Sequence, residues 1–289
     1  MPPPASRRQF LRRFASLAAC GSVSGGGAFG YGNLVERHWI QTVARDITLP
    51  ALPAMMDGFR IVQLSDLHLE PWTKAEHIAE AVVLANALKP DLMVITGDFL
   101  TNSSKPAGRL AEVLAPLEAR YGVLGCIGNH DLWHQPDVLQ RLLKERKIDL
   151  LRNEGMTLQT ERGTIFIAGL ESAWSGRADA RAALRDWTTD LPLVILAHEP
   201  DQVDRVAQTG VPALQLSGHT HGGQVCVPLP WPLALHLPAG GKKYRHGHHR
   251  VGSVQLYVNR GIGCVGAPVR IACPPEVTVI TLRSPAVLA

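Results

Sequence analysis

Short runs of β-branched and other apolar residues recur along the chain, and each run ends in polar residues or glycine. Between these runs, apolar residues repeat at helical spacing. This alternation favours an α/β domain with central sheet structure. The predicted strands are Phe59–Ser65, Leu92–Thr96, Val123–Ile127, Thr164–Leu170, Leu193–Ala197, Ala213–Ser217, Val254–Val258 and Val277–Leu282. The predicted helices are Lys74–Leu88, Gly108–Arg120, Pro136–Lys147 and the shorter Asp201–Gln208, and the Pro- and Gly-rich segment Val227–Gly241 is predicted to be a long loop.

Composition narrows the class of protein. The chain has 289 residues, of which 46% are hydrophobic and 19% are charged. This balance excludes a disordered chain, a collagen-like repeat and a coiled coil. Lys and Arg outnumber Asp and Glu by four, 29 against 25. The first 20 residues hold four arginines and no acid, so the rest of the chain is neutral, and we expect no nucleic-acid partner.

The first 40 residues are typical of a targeting segment. A basic stretch, Ser6–Arg13, precedes the weakly apolar, glycine-diluted stretch Phe14–Tyr31. The pair Arg7 and Arg8 resembles a twin-arginine signal, an address through which the export machinery recognises folded proteins. We therefore predict export to the cell envelope for the domain formed by residues 41–289. Cleavage of the segment, acylation at Cys20 and retention as a membrane anchor all stay open, as does a disordered basic N-terminus.

Cysteine spacing indicates neither a disulfide scaffold nor a zinc ribbon, because no CxxC pair is present. Cys126 lies in an apolar run and is interpreted as a buried thiol. Cys264 and Cys273 could pair after export, although the sequence does not decide this.

Six polar clusters follow predicted strands, the place where open α/β sheets bind ligands. Taken singly, each cluster has an ordinary structural explanation, such as a capping Asp or a surface His. Taken together, they offer two carboxylates, one amide and four imidazoles, a set that can hold two divalent cations sharing one carboxylate. The candidate metal ligands are Asp66, His68, Asp98, Asn129, His198, His219 and His221.

Two further side chains, those of His130 and Arg260, are candidates for direct contact with the substrate. His130 is a candidate proton donor, because its ordinary pKa suits neutral pH. Asp131 either orients His130 or caps the next helix. Arg260 could fork onto a phosphate group, or it could belong to a surface ion pair, and the sequence does not favour either interpretation.

In this order, the motifs resemble those of the calcineurin-like metallophosphoesterase family. The resemblance covers about residues 59–282. A closer likeness is to an exported bacterial phosphodiesterase branch with a twin-arginine leader. The motifs of the family are Asp66-x-His68, Gly97-Asp98, Gly128-Asn129-His130-Asp131, His198 and Gly218-His219-Thr220-His221. The likeness to the exported branch adds the segments Gly218–Gln224, Tyr257–Gly261 and Pro275–Thr278.

This resemblance implies a four-layer α/β/β/α sandwich of two mixed sheets flanked by helices. It implies that Asp98 bridges two metals, manganese, iron or zinc, and that a metal-bridging hydroxide attacks phosphorus. His130 would stabilise the transition state or protonate the leaving oxygen. The implied first metal set is Asp66, His68, Asp98 and His221, and the implied second set is Asp98, Asn129, His198 and His219.

The substrate is not identified by the sequence. With no large inserted cap expected, an open site suits a phosphodiester or a nucleotide-like substrate, and the phosphoester could belong to an envelope polymer or be lipid-linked. The basic stretch Lys242–Arg250 could hold such an anion or be a solvated loop. The alternatives are a membrane-associated UDP-2,3-diacylglucosamine pyrophosphatase, which conflicts with an export signal, a non-catalytic metal-binding envelope protein, and a metal-storage protein.

Overall fold

The computed structural model describes residues 26–227 and 233–288. The arginine pairs and Cys20 of the predicted targeting segment lie outside the described residues. Residues 26–34 form helix α1, and a 3₁₀ turn, Glu36–His38, follows it. Glu36 is buried and accepts a hydrogen bond from the backbone N–H of Cys273 at 2.6 Å, so this turn packs on the folded body. Within the described ranges, no helix is both long enough and apolar enough to span a bilayer.

The first sheet has six strands, and all neighbouring pairs but one are parallel. Its antiparallel pair joins the last strand of the chain to the second, so the C-terminal strand lies inside this sheet. In spatial order the strands are β1 (Gln41–Thr48), β14 (Glu276–Arg283), β2 (Phe59–Leu64), β3 (Leu92–Thr96), β4 (Val123–Cys126) and β5 (Ile148–Leu150).

The second sheet also has six strands, with a parallel centre and an antiparallel pair at each edge. In spatial order they are β12 (Gly247–Val251), β13 (Val254–Val258), β9 (Ala213–Ser217), β8 (Leu193–Leu196), β7 (Gly163–Gly169) and β6 (Glu154–Thr160). A separate two-stranded ribbon consists of β10 (Cys226–Val227) and β11 (Leu233–Ala234).

Three cores of buried apolar side chains hold the fold together. The first core lies between the first sheet and three helices, α2 (Ala75–Ala87), α3 (Ala107–Leu114) and α5 (Pro136–Lys144). The second lies between the two sheets. The third lies between the second sheet and the short helices α6 (Ala180–Ala183) and α7 (Val203–Ala207). The predicted four-layer sandwich of two mixed sheets is therefore confirmed.

The elements differ from the prediction mainly in two ways: one helix ends early before a proline, and the solvent-exposed edge strands were not predicted. The helix predicted over Gly108–Arg120 ends at Leu114, because Pro116 has no backbone N–H with which to continue the helical hydrogen bonds. The sequence pattern missed the four edge strands β1, β5, β6 and β12. Edge strands expose alternate residues and carry polar side chains, so they lack the continuous apolar runs of the central strands. Part of the predicted basic loop Lys242–Arg250 is thus the edge strand β12.

The four cysteines in the described part of the chain are free and buried. Cys126 is fully buried, as predicted. The thiol of Cys273 contacts that of Cys226, and the pairing with Cys264 that the sequence left open is not formed.

Candidate metal centre

The candidate ligands lie in turns at the carboxyl ends of five parallel strands. Asp66 and His68 follow β2, and Asp98 follows β3. Backbone hydrogen bonds join these turns: the N–H of His68 donates to the carbonyl of Asp98 at 3.0 Å, and the N–H of Gly218 donates to the carbonyl of His198 at 3.0 Å. The two sheets therefore present their strand ends to a common point. The other ligands follow β4 (Asn129), β8 (His198) and β9 (His219 and His221).

Asp98 occupies the middle of the cluster. Its Oδ2 lies 3.3 Å from Nε2 of His68 and 3.1 Å from Nε2 of His198. On one side, Oδ1 of Asp66 is 3.5 Å from Nε2 of His221. On the other side, Nε2 of His198 is 3.2 Å from Nδ1 of His219. Two groups of donor atoms, Asp66–His68–His221 and Asp98–His198–His219, are each compact enough to surround a cation, and Asp98 also groups with His68.

Several buried donor atoms in this cluster have no protein partner. Neither ring nitrogen of His68 makes a hydrogen bond within the described residues, and neither does Oδ1 of Asn129. Buried polar atoms are normally paired, because an unsatisfied one costs about 1–3 kcal/mol. Oxygen and imidazole donors without thiolate suit manganese, iron or zinc. The residues therefore fit divalent cations, which would satisfy Oδ1 of Asn129 and one of the two ring nitrogens of His68.

Carbonyl groups fix the orientation of two of the imidazoles. Nδ1 of His198 lies 2.7 Å from the carbonyl of Thr96, and Nε2 of His219 lies 2.8 Å from the carbonyl of Ala239. A carbonyl only accepts, so the facing nitrogen carries a proton, and the other nitrogen is the one that can offer a lone pair to a cation. Metal-binding histidines are commonly oriented by such contacts.

The electrostatics of the centre without cations are those of closely packed opposite charges. Burial raises the pKa of Asp66. Burial also acts to raise the pKa of Asp98, but His198 and then His68 outweigh it and hold this pKa well below its usual value. Conversely, burial acts to lower the pKa of His198, and the carboxylate of Asp98 outweighs it and raises this pKa. A protonated imidazole thus balances Asp98 at the position where a cation would take over that role.

Five of the seven ligands have left-handed backbone conformations, which are uncommon for residues other than glycine. Such conformations cost free energy and cluster at functional sites. The residues, with φ between 46° and 71°, are Asp66, His68, Asp98, His219 and His221.

Two glycines are required by close approach. A Cβ at Gly128 would lie 2.2 Å from Oδ1 of Asp98, and one at Gly218 would lie 2.2 Å from Oδ2 of Asp66. The glycine framing seen in the sequence therefore makes room for the ligand carboxylates.

His130 lies beside the centre and lines the cavity above it. Its Nδ1 is 2.8 Å from the carbonyl oxygen of Thr101. Its Nε2 makes no hydrogen bond to any residue that the structure describes. The ring packs edge-on against that of His68, with centroids 4.8 Å apart. Burial lowers the pKa of His130.

Asp131 caps the neighbouring turns and does not orient the His130 ring. Its Oδ1 accepts hydrogen bonds from the N–H groups of Phe99 and Leu100 at 2.9 and 3.1 Å. Its Oδ2 accepts one from the N–H of Gly128 at 3.0 Å. Asp131 therefore holds the turn that carries Asp98 against the turn that carries Asn129.

Arg260 forms an ion pair, which is one of the two roles that the sequence left open for it. Its guanidinium contacts the carboxylate of Glu276 through Nε and the side chain of Gln41 at 3.2 Å. It does not line the cavity over the centre. A phosphate-binding role would require Arg260 to leave Glu276, so the structure does not support its predicted contact with substrate.

Arg270 was missed by the sequence interpretation, since no motif surrounds it. It is fully buried and donates to the carbonyls of Arg260, Gly261, Gly263 and Cys273. One of its NH2 groups lies 3.4 Å from Nδ1 of His221. Arg270 thereby shapes the loop that supports His221. Trp133 and Trp174, both on the cavity wall, were also missed.

Comparisons with known proteins agree with this geometry. The family model described as calcineurin-like phosphoesterase matches residues 59–223. The chain is 37% identical over 283 residues to the metallophosphoesterase YkuE of Bacillus subtilis (strain 168), covering 96% of this chain and 98% of that protein. It is 31% identical to the phosphodiesterase YaeI of Escherichia coli (strain K12), covering 96% and 99%. It is 27% identical to the UDP-2,3-diacylglucosamine pyrophosphatase LpxG of Chlamydia trachomatis serovar D, covering 86% and 91%.

The role of Asp131 can be tested with the substitution Asp131→Asn. The amide keeps one acceptor oxygen but turns an NH2 group towards the N–H of either Gly128 or the Phe99–Leu100 pair. We expect the free energy of unfolding to fall by about 1–3 kcal/mol. We also expect divalent-cation affinity to fall roughly 10- to 100-fold. Urea unfolding and manganese titration measure the two effects. The matched control is Asp149→Asn, at an exposed position, and equal values for the two variants would contradict the clamping role.

Proposed function

This chain belongs to the calcineurin-like phosphoesterase family, and we propose that it is a phosphodiesterase that works with two divalent cations. The observation that carries this proposal is the position of Asp98, whose carboxylate lies between two groups of buried imidazoles. The unpaired donor atoms of His68 and Asn129 support it further.

We assign the ligands to two cations from the two compact groups Asp66–His68–His221 and Asp98–His198–His219, and we add Asn129 because its Oδ1 is buried and unpaired. Asp98 would contact both cations. The first cation would also be held by Asp66, His68 and His221, and the second by Asn129, His198 and His219. When bound, two such cations activate a water for attack on phosphorus and stabilise charge on the attacking and leaving oxygens. The protein's own contribution is to hold these ligands rigidly.

His130 is placed to act on the leaving group. Its Nδ1 is engaged by Thr101, so the ring is fixed with Nε2 available. Because the Thr101 carbonyl accepts the proton on Nδ1, Nε2 carries a proton only when the ring is the imidazolium. In that form the Nε2 proton can pass to the oxygen that leaves phosphorus, or a hydrogen bond from Nε2 can stabilise charge on the phosphoryl oxygens. Proton transfer from a positioned side chain contributes roughly 10²–10⁴-fold to rate.

Cation dependence tests the central proposal. We expect two cations per chain after loading with manganese, loss of diester hydrolysis on chelation, and recovery on reloading. Asp98→Ala should lower kcat/KM by about 10³-fold or more, since cation stabilisation amounts to several kcal/mol. The assay uses a chromogenic phosphodiester with metal analysis and circular dichroism, and the exposed Asp149→Ala is the control. Near-normal hydrolysis by the Asp98→Ala variant after reloading with manganese would contradict the proposal of two catalytic cations.

The role of His130 predicts a dependence on the leaving group. His130→Ala should lower kcat by roughly 10²–10⁴-fold for a diester with an alkyl alcohol leaving group. The loss should be much smaller for 4-nitrophenolate, which departs without a proton. Bound cations should remain unchanged. The exposed His248→Ala on β12 is the control. Equal losses for both leaving groups would argue against proton donation.

We propose that this activity belongs to the cell envelope. The basis is the Arg7–Arg8 pair before a weakly apolar stretch, which is typical of a twin-arginine signal. The prediction is that residues 1–40 export a fused, folded reporter, and that replacing both arginines with lysine blocks export. Fractionation and a reporter active only outside the cytoplasm measure this. Export that persists in a strain without the twin-arginine machinery would contradict the proposal.

Cleavage of a UDP-linked acylated sugar is a second candidate, favoured by the similarity to LpxG. A panel of phosphomonoesters, phosphodiesters and UDP-2,3-diacylglucosamine separates the candidates by kcat/KM. A non-catalytic metal-binding protein would hold cations and cleave none of them. A metal-storage protein would hold many more than two cations per chain.

A further inference from the structure

A cavity of about 540 Å³ opens directly above the metal centre. Its floor is formed by ligands of the centre, including His68, Asp98 and Asn129. Its walls come from loops outside the ligand set. The volume falls in the range of ordinary small-molecule sites, about 300–1,000 Å³. The cavity therefore extends well beyond the phosphorus-binding position.

The walls carry almost no charge. Apart from ligands of the centre and the imidazoles of His130 and His236, the described residues that line the cavity are uncharged, and none of them is lysine or arginine. A substituent with extra phosphate groups would find no cationic side chain there. The wall chemistry instead matches an uncharged group. The aliphatic part of the wall includes Val225, Leu235 and Val265.

Two tryptophans form the aromatic part of the wall. Trp133 is 53% exposed and Trp174 is 50% exposed, although both are large apolar side chains. Their rings contact each other edge to face, with centroids 5.8 Å apart. Trp133 also contacts the ring of His130, at 4.7 Å. The indoles thus form an apolar surface, half open to solvent, that starts beside the proposed proton donor.

This aromatic surface is fixed to the metal centre. The buried carboxylate of Glu199 accepts hydrogen bonds from the hydroxyl of Ser172 and from the N–H of Ala173 at 2.9 Å. Glu199 directly follows the ligand His198. Trp174 lies in the 3₁₀ turn held by these bonds. A half-exposed tryptophan held at a set distance from the reacting atoms is arranged for contact with a ligand.

We infer that Trp133, Trp174 and the facing aliphatic wall form a subsite for an uncharged apolar group esterified to the substrate's phosphate. This inference rests on the proposed phosphodiesterase function and adds the substrate class: diesters with an alkyl, acyl-bearing or aromatic ester group. The subsite lies outside the metal ligands. It acts through binding of the ester group and needs no contact with phosphorus.

The test is a series of 4-nitrophenyl alkyl phosphates from methyl to octyl, each kept below its micelle concentration. The leaving group is constant, so only binding of the alkyl group changes. We expect kcat/KM to rise with chain length, by up to about fourfold for each buried methylene. Phenyl and benzyl esters distinguish aromatic from aliphatic preference. Thymidine 5′-(4-nitrophenyl phosphate) is included as a further substrate, because its base is polar and similar in size to the larger apolar ester groups.

Trp133→Ala and Trp174→Ala should flatten this dependence, lowering the ratio of kcat/KM for the octyl ester to that for the methyl ester, and should leave the bound cations close to wild type. The phenylalanine variants should retain part of the dependence. Trp39→Ala is the matched control, because Trp39 is 56% exposed and lies outside the cavity lining. A flat wild-type series, a preference for the thymidine ester, or equal losses on methyl and octyl esters would each overturn the subsite. Absence of cation-dependent hydrolysis of every ester would instead overturn the proposed function.

Discussion

The whole site depends on the burial of the Asp98 carboxylate among imidazoles. Burial of an unpaired charge is expensive, so this carboxylate must have positive partners on either side. In the protein without cations, His198 provides such a charge 3.1 Å away. Yet His68 and Asn129 keep buried donor atoms unpaired. A protonated His198 therefore balances the charge of Asp98 but leaves these donor atoms unpaired, whereas a divalent cation would be a partner for carboxylate, amide and imidazole alike.

The two-sheet scaffold brings the ligands together and keeps them there. Parallel strands deliver their carboxyl ends to one edge, and packing between the sheets aligns the edge of the first with that of the second. Tight turns with left-handed ligand residues then aim the side chains inward. Their conformational cost is offset by hydrogen bonds between turns, including those that Asp131 accepts from three backbone N–H groups.

The sequence predicted the central strands and the ligands for the same reason. Central strands are buried on both faces and read as continuous apolar runs, so the polar residues that end them stand out. Edge strands such as β12 share their polar composition with loops and could not be distinguished from them. Arg260 shows a different limit: a sequence cannot reveal that Glu276 is its partner, because the two meet only through the pairing of distant segments. Arg270 had no detectable signal either, since its partners are backbone carbonyls, which every residue possesses.

Glu199 joins the turn that carries Trp174 to the metal centre, because it directly follows the candidate ligand His198 and bonds to that turn. His198 directs its imidazole into the centre, and the next residue directs its carboxylate outward to the turn that carries Trp174. The wall of the cavity is consequently held at a fixed position relative to the ligands. Within the described residues, the side chains of Trp133 and Trp174 make no hydrogen bond to a candidate ligand, so substitutions at these two positions can alter the ester group that fits without disturbing the cation ligands. This arrangement separates cation binding from the choice of ester group, since the first depends on residues at strand ends and the second on residues in the loops above them.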